Sequence, residues 1–429
     1  MSTIALQDIL NLESPYLTGD GLDELKKDGL ASLKSLGFPS TKHEEWKYTN
    51  VTPLLKKSFK VEVASQVKRE ELNALFLNVE QAYRIVFING KYSSEFSTIA
   101  QSDSFIIKPL SQALNEDQAL VSQYIGKYVQ VNNEAFSALN TSDITEGVFI
   151  HVPNNQIVEA PLYVYYITDA TAASVFYQPR NLFVLGRSAV IKLVEVYRSL
   201  GGNPSFTNAI TEVVAADNAQ MEYYKIQDNQ GESYQIETTE VYQTTDSVVT
   251  FFTATLGGAL VRNNLHFRLD DKNCNGNMYG LYIAGADMHV DNHTIVDHLK
   301  PNSLSNELYK GVLGGNAKGV FNGKIFVRQD AQKTEAFQSN KNVLLSNSAS
   351  MNTKPQLEIW ADDVRCSHGA TSGQLDDSAL FYLRARGIGE GKAKAMLTKA
   401  FANDVLDKIS IKGLKEELEL IVEEKLNNI

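Results

Sequence analysis

Over residues 147–365, short runs of Val, Ile, Phe, Tyr and Thr alternate with polar residues, Gly, Asn and Asp break the runs, and helical periodicity largely disappears. Residues 162–168, 190–197, 220–227, 248–256, 278–283 and 324–328 are examples. Successive side chains of a strand point to opposite faces, so these runs predict short strands. More than two hundred residues of them in one block exceed an ordinary sandwich. A stacked solenoid such as a β-helix accommodates them, because each coil buries its inward face on the next. The residues carry no exact repeat length.

The flanks read differently. Leu22, Leu25, Leu33 and Leu36 recur at helical intervals over residues 20–36, and Gly37 and Pro39 end the helix. A strand-like run over residues 83–89 closes on Asn89-Gly90, a turn signal. Beyond Cys366, Ala393, Met396, Leu397, Ala400 and Phe401 share one helical face, and Leu414, Leu418, Ile421 and Val422 share another. The expected fold is therefore mainly β. A right-handed parallel β-helix core over 146–365 lies between an N-terminal helical and mixed α+β region, 1–145, and a C-terminal helical domain, 366–429.

The charge balance narrows the function. Fifty-one acidic against forty basic residues leave a formal charge of -11, with the cations spread along the chain, so no nucleic-acid partner is expected. The opening MSTIALQDIL lacks the cationic start of a secretory signal. The apolar stretch 182–196 is interrupted by Arg187, Lys192 and Glu195, so no membrane span is expected either. Cys274 and Cys366 are the only cysteines, too few for a disulfide framework. A soluble cytoplasmic protein is the resulting expectation.

Three constellations carry candidate chemistry. In the tract 362–369, DDVRCSHG, the Cys366 thiol and the His368 imidazole are two residues apart and project from one side of an extended chain. Thiolate and imidazole are suitable ligands for iron, zinc or a cluster. A small buried thiol beside a hydrogen-bonded His accounts for the pair equally. A conventional cluster takes about four protein ligands. With two distant cysteines, this chain would have to share any such site with another subunit. The second constellation, Asp287, His289, Asp291 and His293, followed by Asp297 and His298, offers possible metal ligands along one strand face. Same-side residues lie about 6.6–7 Å apart along a strand, so no ion reaches all four without a bend, and mutual hydrogen bonding explains them too. The third is the cluster His43, Glu44, Glu45, Trp46, Lys47 and Tyr48, read as a ligand-binding Trp or as an aromatic anchor for a small domain. The glycine-rich tract 311–319 lacks the G-x-x-x-x-G-K-[ST] phosphate loop and reads as turns between strands, so any ATP must be hydrolysed by a partner.

Several tracts together resemble one family. Residues 38–49, FPSTKHEEWKYT, and residues 362–388, DDVRCSHGATSGQLDDSALFYLRARGI, are similar to terminal signatures of the SufB/SufD family of iron-sulfur cluster assembly proteins, in the SufD form. The resemblance spans essentially the whole chain. It implies a non-catalytic scaffold that pairs through its β-helix with a SufB-type subunit, docks a SufC-type ABC ATPase on its C-terminal helices, and takes part in transient iron-sulfur cluster assembly at the partner interface. By the same resemblance His368 matches the histidine that faces a SufB cysteine at the nascent cluster, and Cys366 its neighbouring cysteine. The glutamate-rich variant expected of SufB at this motif is absent. Met396, Leu397 and Phe401 become candidates for ATPase docking, with plain core packing as the alternative.

Two rival functions use the same residues differently. A β-helix enzyme acting on polysaccharide would set Asp287 and Asp291 to acid-base work. A metal-dependent hydrolase would use His289, Asp291 and His293. In isolation, strand edges that normally meet a partner would be open to a second copy, so a homodimer is expected.

Overall fold

The computed structural model describes residues 3–11, 21–60, 63–65, 67–99, 104–144 and 146–429. In the solenoid, successive strands alternate between two sheets, and each strand pairs in parallel with the next but one. On one face Val248–Thr255, Asn275–Ala284, Leu304–Leu313, Glu335–Leu344 and Arg365–Gly373 stack in that order. On the other, Leu260–Leu269, His289–His298, Lys318–Val327 and Ser350–Ile359 do the same. The step between coils varies: Val248 pairs with Asn275, 27 residues on, whereas Lys318 pairs with Ser350, 32 residues on. Turns of unequal length therefore hide the repeat from the sequence.

One corner of the coil is built the same way each time. Asn218, Asp246, Asn273 and Asn302 have positive φ, and each donates its backbone N–H to a carbonyl of the following coil: Thr245, Lys272, Pro301 and Gln332. Asn and Asp tolerate the left-handed region better than other side chains. These short polar residues thus turn the chain while continuing the hydrogen-bonded stack.

The lumen holds the main apolar cluster, including Phe183, Tyr223, Phe251, Phe267, Phe321 and Ile325. Space for two of its rings comes from glycine. A Cβ at Gly280 would meet the Tyr309 ring at 2.2 Å, and one at Gly311 the Tyr282 ring at 2.1 Å. The outer faces are covered as well. N-terminal segments lay Trp46, Phe59 and Phe136 on Phe176, Phe206 and Ile236. The C-terminal helices Glu390–Leu406 and Lys412–Asn427 lay Ala402, Val405, Leu414, Leu418 and Val422 on Val194, Ile226, Phe252 and Ile283. Strands such as Leu162–Asp169 are accordingly buried along their whole length, as in sheets covered on both sides.

The first helix runs Asp23–Leu36; Asp20, where the leucine pattern starts it, lies outside the described residues, as do Met1 and Ser2 of the opening tract. The strand Tyr83–Ile88 ends at the expected turn, Asn89 and Gly90 both having positive φ, and pairs beyond it with Lys91–Tyr92 in a hairpin that the sequence did not predict. Among the described residues no helix is long and apolar enough to cross a membrane.

Candidate functional site

The C-terminal end of the solenoid is open. Arg365–Gly373 and Ser350–Ile359 each pair on one side only and form the last strands of their sheets. In the preceding strand, Glu335–Leu344, the side chains of Ala336, Gln338, Asn340 and Asn342 are buried, while Phe337 is exposed. Register sets Cys366 against Ala336 and His368 against Gln338. Residues aligned in a parallel sheet share a face, so both point toward the lumen. Cys366 packs half-buried against the apolar cluster, whereas His368 remains exposed because no further coil covers it.

Their environments separate their chemistry. Burial pushes the Cys366 thiol above its ordinary value, which favours the uncharged form, a poor ligand. A neutral imidazole, unlike a thiol, ligates through a ring-nitrogen lone pair without first losing a proton. One coil below His368, the Gln338 amide donates to Glu307 Oε2 at 2.7 Å, and burial pushes the Glu307 carboxyl up to about 7.

Two family models match this chain. Residues 166–401 match "SUF system FeS cluster assembly, SufBD core domain", and residues 17–164 match "SufBD protein N-terminal region". The chain belongs to the SufB/SufD family of iron-sulfur cluster assembly proteins. Within that family it is SufD-like. It is 32% identical to an iron-sulfur cluster assembly SufBD family protein of Synechocystis over 94% of this chain and 90% of the relative. It is 30% identical to SufD of Escherichia coli over 91% and 89%. To SufD of Bacillus subtilis it is 26% identical over 94% of each.

The second constellation of this SufD-like chain makes a contact with the N-terminal region. His289, Asp291 and His293 share the outward face of their strand, while Asp287 sits in the preceding turn and bonds Asn316. The tract containing Glu44, Glu45, Trp46 and Thr49 docks on that face. Thr49 Oγ1 lies 2.9 Å from His289 Nε2 and donates to Asp291 Oδ2 at 2.5 Å. Arg262 donates to the same oxygen at 2.7 Å and to the Glu45 carbonyl at 2.8 Å, with its guanidinium 3.8 Å from the Trp46 ring centre. His293 bridges Asp291 at 3.0 Å and Glu45 at 3.4 Å. His293 and Arg262 hold the Asp291 carboxyl well below its usual range despite burial, and His293 and Lys324 bring Glu45 down to about 2. Asp291 is fully buried in this clamp, so the polysaccharide reading, which needs it exposed beside Asp287, does not hold. Among the described residues no group of three or more His, Cys, Asp or Glu side chains is arranged to hold a metal ion. Trp46 packs this N-terminal tract onto the solenoid, buried in the cluster with Phe136 and Phe206 and against Arg262.

Of the two C-terminal helices predicted by periodicity, Glu390–Leu406 departs from its predicted face. Glu390–Leu406 buries Ala393, Thr398, Ala402, Val405 and Leu406, whereas Met396 is 45% exposed. Leu397 is half-buried, and Phe401 packs on the solenoid with the Lys310 ammonium 4.3 Å from its ring centre. The helix Asp377–Ala385 buries no residue and presents Phe381, 73% exposed, and Tyr382, 55% exposed. Sequence reasoning missed these two aromatics. Their adjacency in DSALFYLRA was the available signal.

Proposed function

We propose that this chain is the non-catalytic, SufD-type half of a cytoplasmic SufB–SufC–SufD scaffold on which iron-sulfur clusters are assembled. The unpaired edges of Arg365–Gly373 and Ser350–Ile359 receive a SufB-type subunit, because open strand edges are templates for pairing. His368 contributes a neutral imidazole to the iron or the cluster intermediate formed there, and the partner supplies the sulfur-bearing thiolate. The cluster is cargo, held transiently at the boundary. Cys366 lines the same end without being required as a ligand.

The observation that carries this reading is the position of His368, inward-pointing yet exposed on the terminal strand of the open end. A molecule that closes the solenoid would cover a residue there. Met396, with Phe381 and Tyr382, supplies the apolar surface for a SufC-type ATPase, and Leu397 contributes at its margin. Phe401 belongs to internal packing. His368→Ala in a reconstituted three-subunit assay is expected to abolish cluster formation, read as iron and sulfide content, while leaving thermal stability unchanged. Full cluster yield from that variant overturns the role of His368.

A further inference from the structure

The inward column that ends at His368 has a polar interior of its own. Register aligns Glu307 with Gln338 and Gln338 with His368 on three successive coils of one sheet. Adjacent strands lie about 4.7–4.9 Å apart, so each side chain is the nearest neighbour of the next in the stack. Glu307 and Gln338 are 4% and 3% exposed. The amide NH2 of Gln338 is committed to Glu307 Oε2 at 2.7 Å. That bond fixes which end of the amide is left over. The Gln338 Oε1 atom is buried and has no hydrogen-bond partner among the described residues. Buried polar atoms are nearly always paired, so this acceptor, like Glu307 Oε1 beside it, calls for an explanation.

We infer that Gln338 is a positioning residue for His368: when a partner closes the open end, the imidazole lies down over the column and donates one ring N–H to Gln338 Oε1. The inference rests on the reading of His368 as a ligand. In the isolated chain the imidazole stays in solvent and the amide oxygen stays unpaired. Closure brings the two together. A fixed N–H donor at one nitrogen sets the tautomer and leaves the other nitrogen's lone pair aimed outward, the arrangement by which ligating histidines are ordinarily oriented. Glu307 acts one step further back, by holding the amide the right way round. A glutamine at 307 offers the same acceptor oxygen and preserves the arrangement. A leucine at 338 removes the acceptor.

The test uses the full chain, labelled with 15N-histidine, in complex with its SufB-type and SufC-type partners at pH 8. Seven histidines make the spectrum tractable, and His368→Ala assigns the signal. Wild-type complex is expected to show one His368 tautomer. Gln338→Leu is expected to show a mixture and to slow cluster formation by about 10-fold, while Glu307→Gln keeps the single tautomer. Gln338→Met, closer in shape, repeats the measurement should the leucine variant fail to fold. An unchanged tautomer in the folded 338 variant, or a mixture already present in the wild-type complex, overturns the inference. The two readings fail separately. Full cluster yield from His368→Ala removes the ligand role while the tautomer measurement still reports on Gln338.

Discussion

At the scale of single residues, charge burial decides what the polar groups do. Asp291 and Arg262 pair inside the N-terminal clamp, where Thr49 also donates to Asp291, Arg262 also donates to the Glu45 carbonyl, and His293 lies 3.0 Å from the other Asp291 oxygen; such surroundings offset the cost of burying an ion pair. Glu307 has an amide below the open end and no cation, so burial dominates and its carboxyl is pushed up to about 7 from an ordinary 4.5. The consequence for stability has a definite sign. A carboxyl that holds its proton more tightly when folded contributes fully below pH 4.5, and the contribution is lost as pH rises through 7. Glu307→Gln removes the charging step. Relative to wild type it is expected to raise the unfolding free energy by about 1–3 kcal/mol at pH 8 and by much less at pH 5, read from urea denaturation at the two pH values. An equal gain at both sinks this account. None of this was legible in EAFQSNKNVL, where nothing local marks the alternating Gln338, Asn340 and Asn342 as the buried residues that line the lumen.

At the scale of elements, the strands were readable and the helix faces less so. Runs of Val, Ile, Phe and Tyr marked strands at 162–168, 190–197, 220–227 and 248–256 because a pleated half-buried surface favours those residues, and the elements fall there. In Lys412–Asn427, Leu414, Leu418 and Val422 are buried as the 3.6-residue period requires, with Leu426 completing the row. In Glu390–Leu406 the apolar residues form more than one stripe, and only contact with the solenoid selects which is core. This separates two phenylalanines. Phe381→Asp is expected to change stability by less than about 0.5 kcal/mol and to weaken binding of the SufC-type ATPase at least about 10-fold. Phe401→Ala is expected to cost about 1–3 kcal/mol of stability through lost packing against the solenoid. Calorimetric titration alongside thermal melts distinguishes them, and Phe381→Asp with unimpaired ATPase binding removes that helix from the docking surface.

For the whole molecule, the two ends of the solenoid are unequal. The antiparallel hairpin Tyr83–Ile88 and Lys91–Tyr92 finishes one sheet at the first end, while the last coil leaves two strands each paired on one side only. Self-pairing through those edges is the expectation for the isolated chain, since among the described residues no further strand pairs with them. Lysines on an edge strand oppose such pairing. Ser367→Lys combined with Thr371→Lys, both at exposed positions, is expected to shift the protein to monomer in sedimentation velocity at unchanged helix and strand content. A dimer of undiminished affinity places the self-association surface elsewhere.

Backbone preference and alternation act locally, so the residues by themselves determined the class of fold, the strand-rich middle, the two helical flanks and the candidacy of Cys366 and His368. Depth in the stack is not local. Whether a polar side chain faces the lumen or solvent, whether Asp291 meets a metal or an arginine, and which coil is last depend on segments brought together from far along the chain. His289, Asp291 and His293 became a clamp because Thr49 and Glu45, some 240 residues away in sequence, arrive on that face. His368 became available because no coil follows it.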